Sequence, residues 1–175
     1  MSGLERSEFQ RVLFQTAFCV MACDGHIDNR EVAEIRAMNA GSAYFTGIDL
    51  TVELDGLLAR LRTDGTRVVE DLFKTIENLD MSTVQELLLI EITLRIMNAD
   101  ERIDENEVRF LRRLRSGLAL HNQTIKDRFG AVDFLSEDDY SDGSIIDASL
   151  AAEVTPGFDL PKIDELVKVD PDSFR

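Results

Sequence analysis

One stretch of this chain occurs twice, and that fact limits its fold more than any other. Asp24-Gly25-His26-Ile27-Asp28-Asn29-Arg30-Glu31-Val32 aligns without a gap on Asp100-Glu101-Arg102-Ile103-Asp104-Glu105-Asn106-Glu107-Val108, at a constant offset of 76. Asp, Ile, Asp, Glu and Val coincide. Outside the stretch, Phe18 pairs with Leu94, Val20 with Ile96, Met21 with Met97, Ile35 with Leu111 and Met38 with Leu114. A repeat of this kind is one supersecondary unit used twice. The expected result is a helix–loop–helix in duplicate and a domain of two pseudo-symmetric halves.

The spacing of apolar residues supports helices throughout. A first helix is predicted from about Ser7 to Cys23, with a broad stripe of Phe9, Val12, Leu13, Phe14, Phe18, Val20 and Met21. A second carries Val32, Ile35 and Met38 and ends near Gly41. Thr51 is a candidate cap for a third, bearing Leu54, Leu57, Leu58 and Leu61, and Asp64-Gly65 reads as a turn. A fourth uses Val68, Val69, Leu72, Phe73, Ile76 and Leu79. Ser82 to Gln85 fits a capping box opening a fifth, which runs to about Asn98. The fifth is apolar nearly all round, apart from a narrow stripe of Glu91, Arg95 and Asn98 with Glu86 opposite. A helix of that composition belongs at the centre of a bundle. A sixth is predicted from Asp104 to Gly117, and a seventh holds Leu118, Leu120, Ile125 and Phe129 and closes at Gly130. The fold class is therefore all-α, with about seven helices around a central apolar one, over residues 5–130.

Composition changes after Gly130. Residues 131–175 hold 12 acidic and three basic residues and all three prolines of the chain, including the run Ser136-Glu137-Asp138-Asp139-Tyr140-Ser141-Asp142. This reads as a solvated acidic C-terminal tail with at most short helices. Its apolar residues, Phe134, Leu135, Ile145, Ile146, Phe158, Leu160 and Leu166, allow the other reading, that it packs on the helical body or on a partner. The whole chain has a formal net charge of -15. Such a surface repels phosphate, which argues against a nucleic-acid partner and against direct docking to an anionic membrane. No apolar run approaches the ~20 residues needed to span a bilayer. Met1 to Gln10 carries charges and no apolar leader, so a cytoplasmic location is expected.

Both copies of the repeat have a structural explanation. Asp28 and Asp104 stand where helix N-caps are expected, each with a glutamate, Glu31 or Glu107, three residues on, as in a capping box. Ile27 and Ile103 precede them like the apolar half of a hydrophobic staple. An EF-hand reading fails. Counting from Asp24, the glycine of position six is Asn29 and the glutamate of position twelve is Ile35, and the second copy has Glu105 and Leu111 there.

A helix that ends in a small residue, then Asp-Gly-x-Ile-x-x-x-Glu and a further helix, resembles the pattern of TerB-like domains. These are named for the tellurite-resistance protein TerB and also occur at the front of membrane-anchored DnaJ-type co-chaperones. Residues Ala22 to Glu31 follow that pattern with Cys23 where alanine is usual, and Asn98 to Glu107 echo it with Glu101 in place of the turn glycine. The resemblance covers roughly residues 8–130. It implies a seven-helix, pseudo-two-fold bundle linked to tellurite and stress resistance. It implies a non-catalytic interaction or scaffold role, with a protein partner, often in membrane-associated assemblies, and acidic residues that bind divalent cations.

The candidate metal ligands are Asp24, Asp28 and Glu31 with their counterparts Asp100, Asp104 and Glu107. Hard oxygen donors suit calcium, magnesium or manganese. If the two loops meet, six carboxylates converge; if they lie apart, each offers at most three; solvated helix caps are the plainer alternative. A metal-dependent hydrolase built on the paired loops is the competing function. Catalysis otherwise has little to stand on, with no Ser/His/Asp arrangement, phosphate-cradling glycine loop or nucleophile elbow in the sequence. Glu91 and Arg95 are spaced for an intrahelical ion pair or, in a sharper reading, for the lining of a pocket. Cys19 and Cys23 are expected in the core as small hydrophobes. With His26 they offer three ligands to a soft metal, but a fourth is missing from the local sequence, and His121 has no evident partner.

Overall fold

The computed structural model describes residues 3–23, 29–41, 44–99, 103–132 and 134–135, and every regular element among them is an α-helix. In chain order these are α1 (Gly3–Ala22), α2 (Asn29–Gly41), α3 (Leu50–Asp64), α4 (Arg67–Asn78), α5 (Thr83–Met97), α6 (Glu105–Ser116) and α7 (Asn122–Phe129). None is long and apolar enough to cross a membrane. The protein is all-α, as its periodicity predicts.

Local chemistry sets the helix ends. Asp49, not Thr51, caps α3: its Oδ1 accepts from the amides of Thr51 at 3.0 Å and Val52 at 3.2 Å. Two orphan amides thus converge on one oxygen of the residue before the helix, and Thr51, already inside α3, is itself one of the donors. At the other end, Gly65 adopts φ 57° and its amide returns to the Leu61 carbonyl. That left-handed backbone favours glycine, so Asp64-Gly65 is the turn expected. α5 opens with the anticipated capping box, in which the Ser82 amide donates to Gln85 Oε1 at 2.9 Å and the Gln85 amide donates to Ser82 Oγ.

The sequence expectation fails at the start of α7. Leu118 and Leu120 are not helical; α7 begins only at Asn122. Two buried charges hold the connection open. The Arg115 guanidinium donates to the carbonyls of Leu118 and Leu120, and the Glu86 carboxylate of α5 accepts from the Ala119 amide at 2.9 Å. These backbone groups have side-chain partners, so a helical turn is not needed to satisfy them. Leu118 and Leu120 still enter the core.

Two helices share the centre. α1 packs chiefly on α5 and also meets α3, α4 and α6, while α5 further carries α2 and α6. α5 is central, as its nearly all-round apolar surface predicts, yet α1 is the more enclosed. Between Val12 and Ala22 of α1 only Gln15 escapes burial. Each central helix also buries a threonine, which its own backbone satisfies: Thr16 donates to Val12 O and Thr93 to Leu89 O, both at 2.8 Å. Phe14 meets Phe45 edge-on at 5.6 Å, and Phe73 meets Phe110 at 5.0 Å, which ties α1 to the 44–48 turn and α4 to α6. Val132 and Leu135 also lie in the core, so packing continues beyond Gly130.

Several features recur at the 76-residue spacing. α2 begins at Asn29 and α6 at Glu105, and Gly41 and Gly117 stand at their ends. Val20 and Ile96, Met21 and Met97, Ile35 and Leu111, and Met38 and Leu114 are all fully buried. Phe18 and Val32 are buried, whereas their counterparts Leu94 and Val108 are only partly so.

Candidate functional site

The duplicated loops hold the carboxylates singled out by the sequence. Asp24, Asp28 and Asp100 lie outside the described residues, as do Gly25, His26 and Ile27; Glu31, Asp104 and Glu107 lie within them. At the start of α6, Asp104 Oδ1 accepts from the Asn106 amide at 2.7 Å, and Glu107 Oε2 accepts from the Asp104 amide at 2.8 Å. This is the expected capping box. Ile103 and Val108 flank it, and both are partly buried against the core. Negative charge at a helix N-terminus is also favoured by the helix dipole.

Glu107 is 4 % exposed, and Glu31, at the equivalent position of α2, is also 4 % exposed. A buried carboxylate is costly unless it is bonded, and a glutamate that reaches back to its own helix start meets that condition. Each carboxylate has two oxygens and about four lone-pair sites, so a bond to one amide does not exhaust it. Asp104 and Glu107 thus place hard oxygen donors together at one helix end, a donor set that fits calcium, magnesium or manganese. Among the described residues, no group of three His, Cys, Asp or Glu side chains is arranged to hold a metal ion. A complete ligand set would have to draw on Asp24, Asp28 or Asp100.

A second polar constellation surrounds the narrow polar stripe of α5. Glu91 and Arg95 each take partners on other elements rather than one another. Glu91 Oε1 accepts from the Tyr44 hydroxyl at 2.7 Å, and its Oε2 pairs with Arg128 of α7 at 2.8 Å. Arg95 donates through Nε to Glu34 of α2 at 2.7 Å. Burial, and then the bond to the Glu91 carboxylate, push the Tyr44 phenol above its usual value. The stripe is therefore a junction that ties α2, the 44–48 turn and α7 to α5. Its membership was half visible in the sequence, where Glu91 and Arg95 interrupt an apolar helix. Tyr44, Glu34 and Arg128 are distant in the chain and carried no signal. The Glu34–Arg95 pair joins the helix that leaves the first acidic loop to the helix that enters the second.

The remaining candidates are structural. Cys19 and Cys23 are buried, and burial pushes the Cys19 thiol up to about 12, which disfavours its thiolate. His121 stands at the N-cap position of α7 and makes no side-chain cap bond. A shallow depression of about 370 Å³ is lined by Glu8 of α1 and by Lys74, Thr75, Asn78 and Leu79 at the α4 end.

Comparison with known proteins gives one positive result. The family model described as "Tellurite resistance protein TerB" matches residues 10–127. No curated protein and no solved structure gives a match. The matched span runs from the first turns of α1 to the last turn of α7 and takes in both copies of the repeat and most of the helical core. On that span, the chain belongs to the TerB family of tellurite resistance proteins.

Proposed function

We propose that this protein is a non-catalytic interaction module of the tellurite- and stress-resistance type, and that its duplicated acidic loops bind a divalent cation. The module works in the cytoplasm, with a protein as its partner, and any membrane association comes through that partner. The observation that carries the reading is the repeated placement of Glu31 and Glu107, both 4 % exposed near the starts of α2 and α6. Two buried carboxylates in matching positions, near the starts of α2 and α6 and each following two aspartates in the sequence, support a paired hard-donor site. Asp24, Asp28 and Glu31 would hold one ion, and Asp100, Asp104 and Glu107 a second, or all six would share one. A bound cation would supply positive charge that offsets the mutual repulsion of these carboxylates and stiffens the loops for a partner.

Calorimetric titration of the full chain with calcium, magnesium and manganese tests this. Heat of binding and a raised Tm are expected with at least one ion, and both should fall in a variant carrying Asp24→Asn and Asp100→Asn. No heat and no Tm shift with any of the three ions would remove the cation from the account. The competing hydrolase predicts turnover of phosphoesters or peptides that the same double variant abolishes.

A further inference from the structure

α6 presents arginines at positions 109, 112 and 113, the i, i+3, i+4 spacing that puts side chains on one face of a helix. All three are exposed. Arg109 pairs with Glu105 one turn away, and Arg113 pairs with Glu77 of α4 while lying 5.2 Å over the Phe73 ring. Exposed pairs of this kind hold their partners weakly, each worth ~0–1 kcal/mol, so a denser set of carboxylates can join or displace them. These three arginines make an exposed basic patch, whereas residues 131–175 hold 12 acidic residues against three basic ones.

The chain itself returns to this patch. After α7, Val132 and Leu135 are buried, the Leu135 amide closes a turn on the Val132 carbonyl at 3.0 Å, and Arg112 Nε donates to the Phe134 carbonyl at 3.2 Å. Residue 135 is thus anchored beside the middle of α6. The acidic run, which lies outside the described residues, starts two positions later with Glu137, Asp138 and Asp139, then Asp142, and has no base within it. Two residues of chain span at most about 7 Å, and one helical turn about 5.4 Å. A tether of that length permits the carboxylates of residues 137–142 to reach Arg109, Arg112 and Arg113. The short tether gives these carboxylates a high effective concentration at the arginine face of α6, where the charges are complementary.

We propose that the arginine face of α6 is a binding surface for acidic peptide, and that its resident occupant is the chain's own residues 137–142. An acidic partner segment must then compete with the tail to reach α6. This does not depend on cation binding by the loops.

The test uses the full chain with Ser141→Cys carrying a nitroxide label; Cys19 and Cys23 are buried, so the new thiol takes the label. Paramagnetic broadening of the α6 amides is read at about 0.02 M and about 1 M salt, since such contacts are screened within ~3 Å at the higher value. It is read again in a variant with Glu137→Gln, Asp138→Asn, Asp139→Asn and Asp142→Asn. The tether alone keeps the label near α6, so the contrast carries the result. Broadening at Arg109, Arg112 and Arg113 at least twofold stronger at low salt than at high, with that excess absent in the neutralised variant, is expected. Equal broadening in all arms, or stronger broadening on another helix, overturns the proposal.

Discussion

Tyr44 shows how one side chain joins parts of the chain that are distant in sequence. Its hydroxyl donates to Glu91 at 2.7 Å, and Glu91 in turn holds Arg128. Tyr44→Phe keeps the ring against Phe45 and removes only the donor, so a loss of about 0.5–1.5 kcal/mol in urea unfolding is expected. The phenol is raised in the folded state by burial and then by the bond to Glu91, so the folded chain keeps its proton after the unfolded chain has lost it. Its stabilisation is complete below about pH 10 and is lost as pH rises through the folded value. Unfolding curves of the native chain and Tyr44→Phe should therefore converge as pH is raised above 10, and curves that stay parallel would contradict this. Asp104 separates cap from ligand at the same scale. Asparagine caps a helix about as well as aspartate but carries no charge, whereas alanine does neither. Asp104→Ala should cost about 0.5–2 kcal/mol and Asp104→Asn far less. If Asp104 is a cation ligand, both should weaken binding in the calorimeter.

At the scale of elements, the ends of the helices mark where sequence reasoning worked and where it stopped. The capping boxes at Ser82–Gln85 and Asp104–Glu107, and the turn at Gly65, were legible because each is a contact within four residues. Asp49 and Thr51 are both residue types that cap helices; α3 starts at the buried Leu50, which leaves Asp49 outside as the cap and Thr51 inside as a donor, a boundary the pattern of apolar residues does not register. The start of α7 was not legible. Arg115 and Glu86 are ordinary helix residues in the sequence, and only the packing of α5 against α6 turns them inward on residues 118–120. Arg115→Leu leaves the Leu118 and Leu120 carbonyls without their donor in a buried setting. Thermal unfolding should report a loss of about 1–3 kcal/mol for it, well beyond that of Arg109→Leu on the exposed face. Equal losses would mean that the buried guanidinium does not hold this connection.

Across the whole molecule, two central helices and two loop-bearing partners account for the family match and the repeat together. α1 and α5 sit back to back, α2 and α6 start 76 residues apart, and residues 10–127 carry the TerB match. The all-α fold was readable from periodicity because a helix with a buried stripe repeats its apolar residues every three or four positions. The candidate site was readable only as a list of six carboxylates, since nothing local states which side chains from two distant loops face one another. A crystal structure of the full chain grown with calcium tests the claim that the two copies are equivalent more directly than any other measurement. The account predicts that residues 24–32 and 100–108 superpose in backbone path. It also predicts a calcium ion bonded at about 2.3–2.6 Å to carboxylate oxygens drawn from these loops. Loops of unlike shape, or carboxylates turned away from one another with no ion between them, would contradict it.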